Sequence, residues 1–124
     1  KAAMMGAGLS NMISDHGTGD IPHANMLYYP GHPYDNLDMY WESSAIKHIT
    51  KVVTPTLILH GDSDARVHPA QGAEMYRALK VLGVPVQFVR YPREPHGLKE
   101  RAHQIDLLNR LLDWYTKYLK PDTN

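Results

Sequence analysis

Two short polar stretches carry the residue types that general acid–base chemistry requires. The first, GDSDARVHP over 61–69, holds Asp62 and Asp64, and the second, PREPHG over 92–97, holds His96. Each directly follows an apolar run that reads as a strand, TLILH over 56–60 and VPVQFVRY over 84–91. In open α/β sheets ligands sit beyond the carboxyl ends of the strands. An aspartate from one loop and a histidine from the next would therefore meet at the same rim. A carboxylate in that position fixes the imidazole tautomer and orientation, and stabilises the imidazolium formed when the ring takes a proton. Spacing alone leaves other uses open: Asp62 serving a turn, either aspartate pairing with Arg66, or all of these as solvated loop residues.

The elements that must hold such loops become regular after Val52. Thr56–His60, bounded by Pro55 and Gly61, suits a strand covered on both faces. Pro69–Leu82 reads as a helix, with Pro69 in the first turn, Met75, Ala78, Leu79 and Leu82 on one face, and Gly83 ending it. Val84–Tyr91 is a second strand. Glu100–Lys120 is a helix whose apolar stripe is Leu108, Leu111, Leu112, Tyr115 and Leu119, with Lys117 and Lys120 at its negative end and Pro121 stopping it. Ala2–Gly6 supplies a third strand. Ser10–Tyr40 is rich in Gly, Pro, Asn, Asp and His without helical or alternating period, and reads as a long surface excursion. Asp35–Ile49 has room for one or two short helices, with Met39, Tyr40, Ala45, Ile46 and Ile49 inward.

Strand–helix–strand–helix order predicts a parallel α/β sheet with helices on both faces. Three such strands alone would leave a long edge unpaired, an aggregation hazard, so the chain reads as one end of a larger sheet. The first residue is Lys1 rather than methionine, which points to an excised or processed piece. The apolar start over 2–9 could pass for a clipped signal peptide, but it is short and no small-residue cleavage site follows. A buried strand running into a glycine turn is the simpler reading.

Composition closes several routes. There is no cysteine, which excludes disulfides, cysteine–zinc sites and a thiolate nucleophile. Lysine plus arginine equals aspartate plus glutamate at 13 each, so no basic excess favours nucleic acid or an anionic membrane. No apolar run approaches the roughly 20 residues a spanning helix needs. The eight histidines include no HExxH and no i,i+4 pair; His16–His23, His60–His68 and His96–His103 do not make a helical zinc face. Gly6–Gly8 and Gly17–Gly19 fail to complete a dinucleotide fingerprint. Tyr28, Tyr29, Tyr34, Tyr40 and Trp41 either pack the long loop onto the body or line a cleft beside the rim.

The segments TPTLILHGDSDARV, HPAQGAEMYRALKVLGVPV and YPREPHG together resemble the C-terminal part of the prolyl oligopeptidase family of serine peptidases. The likeness is to the branch of acylaminoacyl-peptidases and dipeptidyl aminopeptidases. GLSNMISDHGTGDIP is similar to the stretch that follows the nucleophile helix in that family, so the resemblance runs from Lys1 to about Lys120. Aspartate before histidine on the last two strands is also the chain order of the α/β-hydrolase triad, in which the nucleophile comes first. The resemblance implies Asp64, not Asp62, as the triad aspartate and His96 as the triad histidine. It implies Arg66 as a loop organiser; His68 departs from the proline common at that position.

The nucleophile is missing from the pattern. No G-x-S-x-G elbow occurs: Ser10 lacks the second glycine, and Ser14, Ser43, Ser44 and Ser63 lack both. The resemblance places the elbow upstream of Lys1, with the oxyanion-hole backbone. Residues 1–124 are thus expected to be the C-terminal portion of an α/β-hydrolase peptidase domain, inactive alone. The implied partners are a peptide substrate and the remainder of the catalytic domain, with self-association and compartment left open. No cofactor or metal is implied, though relatives usually carry a β-propeller ahead of this domain. Two rivals remain, an esterase-type hydrolase and a non-catalytic assembly segment.

Overall fold

The computed structural model describes residues 1–119. Three strands, β1 (Ala3–Gly6), β2 (Thr56–Gly61) and β3 (Val86–Tyr91), form a parallel sheet in the order β1-β2-β3. The central strand β2 is buried along its whole length, as an uninterrupted apolar run in a two-sided sheet should be. Its register sets Ile58 between Met5 and Phe88, and Gly61 beside Tyr91. All three carboxyl ends therefore open on one rim.

Side-chain alternation along β2 divides the core between two helices. Leu57 and Leu59 join Val89 and Tyr91 under α5 (Arg101–Leu119), where Trp114 is the largest buried ring. Ile58, with Val86 and Phe88, lies under Leu79 of α4 (Ala70–Val81). Helices cover both faces, as the strand–helix alternation predicts.

Two boundaries differ from expectation for a local reason. Gly83 has φ +73°, a left-handed conformation that costs glycine little. It lets Val84 N–H reach the Leu79 carbonyl at 3.0 Å and Gly83 N–H reach Lys80 at 3.1 Å, the paired bonds of a Schellman cap. Val84 is thereby committed to the helix end and Pro85 has no N–H to give, so β3 starts at Val86 instead of Val84. Leu82, expected on the inner face, is the C-cap and 43% exposed.

The stripe expected on α5 is also rotated. Leu111 and Tyr115 do face the sheet, but their companions are Leu107, Trp114 and Tyr118, while Leu108, Leu112 and Leu119 are exposed. The residues at 107, 111, 114 and 118 repeat every three or four positions, and Trp114 brings more apolar area than any leucine. That ring sets the helix rotation. Lys120 and Pro121, expected to finish the helix, lie outside the described residues.

The long excursion is more ordered than its composition suggests. With its continuation to Lys51 it contains α1 (Met12–Thr18), α2 (Pro22–Asn25), α3 (Leu37–Glu42) and a 3₁₀ turn at Ala45–Lys51. The helix α1 escaped prediction because its buried residues are Asp15 and His16 rather than apolar side chains, although Asn11 caps it by accepting from Ile13 N–H and Ser14 N–H. Gln71 of α4 fastens the entry to this region. Its Oε1 accepts from Ser10 N–H, Ser10 Oγ and Asn11 N–H at 2.8–3.0 Å, and its Nε2 donates to Ser14 Oγ at 2.9 Å. Of the five inward residues expected over 35–49, Tyr40 is fully buried and Ile49 packs beneath α4; Met39 and Ala45 face outward. Among the described residues no helix is long and apolar enough to cross a membrane.

The rotated α5 gives a direct test by urea denaturation. Trp114→Ala should lower the unfolding free energy by about 3–5 kcal/mol. Leu112→Ala, on the exposed side, should stay within about 0.5 kcal/mol of the parent. The reverse ranking would restore the stripe through Leu108 and Leu112.

Candidate active site

Beyond β2 and β3 the two chemistry-bearing loops pack backbone against backbone. Asp62 N–H donates to the Tyr91 carbonyl and Ser63 N–H to the Glu94 carbonyl, both at 2.9 Å. Gly61 makes the approach possible: a Cβ there would sit 2.3 Å from the Glu94 oxygen and 2.4 Å from the Pro95 oxygen. The loops thus meet as a joined pair, which brings Asp64 and His96 together.

Asp64 has no exposed side-chain surface, whereas the His96 side chain is 51% exposed. The carboxylate Oδ1 accepts from Arg66 N–H and Val67 N–H, each at 2.9 Å. Oδ2 lies 3.0 Å from His96 Nδ1 and 3.3 Å from His60 Nε2. An ionised carboxylate only accepts, so the contact assigns the proton to His96 Nδ1 and leaves Nε2 as the acceptor. A buried, oriented acid behind a half-exposed imidazole is the arrangement a general base requires.

The other pairings considered from sequence resolve differently. Asp62 accepts from Arg90 Nε at 2.6 Å on the surface. The Arg66 guanidinium turns to Asp20, also at 2.6 Å, so it pairs with neither loop aspartate; only its amide reaches Asp64. Arg66 therefore ties the 61–69 loop to the excursion, consistent with a loop organiser.

Sequence reasoning missed Glu94, which shapes the histidine loop. Arg93 turns the chain through φ +67°, and Glu94 is only 1% exposed. Its Oε2 accepts from Lys99 N–H at 2.7 Å, and its Oε1 from Glu100 N–H at 2.9 Å and His103 Nδ1 at 2.7 Å. The carboxylate thus closes a loop around His96 and meets the free amides at the start of α5, where a negative charge is favoured. Burial is the largest single influence and opposes ionisation; the Lys99 and Glu100 amides and His103 outweigh it and hold the carboxyl below its usual range. A glutamate between Arg93 and Pro95 reads as a solvated loop residue. The available signal was its spacing, seven residues ahead of the first residue of α5.

A cavity of about 240 Å³ opens at the rim, lined by Gly6, Ala7, Gly61, Tyr91, His96 and Leu98. Tyr91 is not an acid–base candidate there: burial and its 3.0 Å bond to Asp106 push the phenol up to about 12. Among the described residues no serine hydroxyl hydrogen-bonds to His96. Ser10 is buried and donates to Gln71 and Glu74, and Ser44 donates to the Tyr40 carbonyl. Glu94, Glu100 and His103 bring three potential metal-ligating atoms within 4.8 Å. Their lone pairs and protons already serve one another, two backbone amides and Arg93. Of the aromatic group, Tyr40 packs the excursion, its ring 4.6 Å from Tyr29, while Tyr28 and Tyr34 stand exposed.

A family model described as the prolyl oligopeptidase family matches residues 1–122. The chain is 33% identical over 123 residues to an uncharacterised peptidase, YuxL, of Bacillus subtilis, covering 96% of this chain and 19% of that protein. It is 37% identical over 117 residues to the mouse acylamino-acid-releasing enzyme, covering 88% of this chain and 16% of the enzyme. Among solved structures, an acylaminoacyl peptidase of Pyrococcus horikoshii superposes with a TM-score of 0.90 at 22% identity, over 100% of this chain and 21% of that one. That likeness establishes the fold. The chain spans less than a quarter of the length of each of these proteins.

The Glu94 clamp predicts an acid-dependent loss of stability. A carboxyl held below its ordinary value of about 4.3 contributes fully above that pH, and the contribution disappears as pH falls through the depressed value. Glu94→Gln should therefore destabilise the chain near neutrality, with the gap to the parent narrowing below about pH 4. Denaturant melts across that range measure it; a constant gap would show that the charge of Glu94 plays no part.

Proposed function

The chain belongs to the prolyl oligopeptidase family, and from that premise we propose that it is the Asp-and-His end of a serine peptidase domain whose nucleophile lies upstream of Lys1. The observation that carries this reading is the Asp64–His96 contact of 3.0 Å, with the acid buried and the imidazole half exposed beside the rim cavity. Asp64 holds His96 as the Nδ1–H tautomer. His96 Nε2 takes the proton from the upstream serine as its oxygen attacks a peptide carbonyl. The same nitrogen then protonates the leaving amine, and water repeats the sequence in reverse to release the acyl group. Asp64 remains a carboxylate throughout and stabilises the imidazolium.

The absence of a serine hydrogen-bonded to His96 among the described residues agrees with an elbow outside these 124 positions. The chain's coverage of less than a quarter of its relatives leaves ample length for one. The names of those relatives favour a peptide or N-acylated peptide as substrate over a simple ester. The partner this reading requires is the remainder of the catalytic domain, paired along the free edge of β1.

Two measurements test the proposal. A fluorophosphonate probe should leave the 124-residue chain unlabelled and should label the longer protein; labelling of the short chain would place the nucleophile within it. In the longer protein, Asp64→Asn should lower kcat by up to about 10⁴-fold through loss of the productive tautomer. Asp62→Asn, altering a surface ion pair with Arg90, should leave kcat within about threefold, since exposed pairs contribute little. Equal effects of the two substitutions would remove Asp64 from the role.

A further inference from the structure

His60 is the residue that neither the expected triad nor the loop clamp uses. It lies one position before the end of β2, is 2% exposed, and lies beside Asp64. Its Nε2 is 2.8 Å from the Val67 carbonyl and 3.3 Å from Asp64 Oδ2. A carbonyl oxygen cannot donate, so the shorter contact requires the proton on Nε2. That single N–H is committed to the Val67 carbonyl, and the carboxylate lies alongside without receiving it. Nδ1 has no partner and lies against Gly72, where a Cβ would come within 3.0 Å of it.

The contacts form a chain. His60 Nε2–H donates to the Val67 carbonyl, and Val67 N–H donates to Asp64 Oδ1. With Arg66 N–H and His96 Nδ1–H added, three donors hold the two carboxylate oxygens, so rotation of the carboxylate would break several bonds at once.

We propose that His60 is a positioning residue that acts through Val67: its Nε2–H holds the Val67 carbonyl, and the Val67 N–H then fixes Asp64 Oδ1 so that Oδ2 is aimed at His96. The proposal rests on the serine-peptidase reading for its effect on rate, but the contact itself is measurable without a nucleophile. Glutamine can place an amide N–H where the imidazole Nε2 stands, whereas asparagine, one methylene shorter, places it where Nδ1 stands. In the longer protein, His60→Asn should lower kcat roughly 10²-fold, the scale of a small misplacement of a catalytic group, with KM unchanged. His60→Gln should recover most of that loss. In the 124-residue chain, proton NMR should show a downfield His96 Nδ1–H resonance, identified by its disappearance in His96→Gln. It should persist in His60→Gln and be shifted or lost in His60→Asn.

Equal kcat values and unchanged His96 resonances in the asparagine and glutamine variants would overturn the proposal. If His60→Asn does not fold, the ¹⁵N shifts of His60 in the unsubstituted chain decide it: an Nε2–H tautomer supports donation to the Val67 carbonyl, and an Nδ1–H tautomer overturns it. Retention of full activity in His96→Ala would instead refute the peptidase reading and leave the NMR result on His60 intact.

Discussion

A carboxylate with no exposed surface is tolerated in a protein only when donors replace the water it has lost. Asp64 meets that condition with two backbone amides and the His96 imidazole, and the arrangement of the rest of the rim follows from it. The amides require the 61–69 loop to curl back on itself. The imidazole must come from the loop after β3, which requires the ends of β2 and β3 to lie side by side. The backbone join between Ser63 and Glu94 then has to hold the loops at one spacing. The sheet beneath is short, but its central strand is fully buried and covered by helices on both sides. That gives the two loops a rigid base despite their irregular backbone.

The parts of this arrangement that follow from a two-residue or three-to-four-residue period were legible in the sequence. β2 and α4 appear within a residue or two of where apolar runs, Gly61, Pro69 and Gly83 put them. Asp64 and His96 could be set on adjacent strand ends because short strands and short loops leave few alternatives. What was not legible depends on partners distant in sequence. α1 turns its buried face with Asp15 and His16, which no apolar pattern reveals, and it is secured by Gln71, some 60 positions away. The rotation of α5 departs from its periodicity because four leucines outnumber one tryptophan in a count of positions, while buried area depends on the size of the ring. Glu94 and His60 look respectively like a solvated acid and a strand residue until the amides and carboxylate they face are known.

The distribution of exposure across the rim also has a chemical logic. The acid is enclosed, the imidazole is half open, and the phenol of Tyr91 is kept protonated by burial and Asp106. Of this set, only the imidazole of His96 presents substantial surface to the rim. The charged pairs around it, Asp62 with Arg90, Asp20 with Arg66 and Glu100 with Arg93, lie on the surface and neutralise one another. They shape the loops without adding a second acid or base at the cavity.

Gly61 has a consequence for how such a site can change over time. Its missing side chain lets one loop backbone lie directly on the other, with carbonyl oxygens only 2.3 and 2.4 Å from where a methyl would stand. An insertion in either loop would lift it from its neighbour and separate the acid from the base. The two loops are consequently bound to drift together: lengths at 61–64 and 92–96 are linked variables, whereas the excursion over residues 10–51 can be remodelled around them. Change is thereby steered toward the excursion, and Asp64 and His96 are kept together as one indivisible unit.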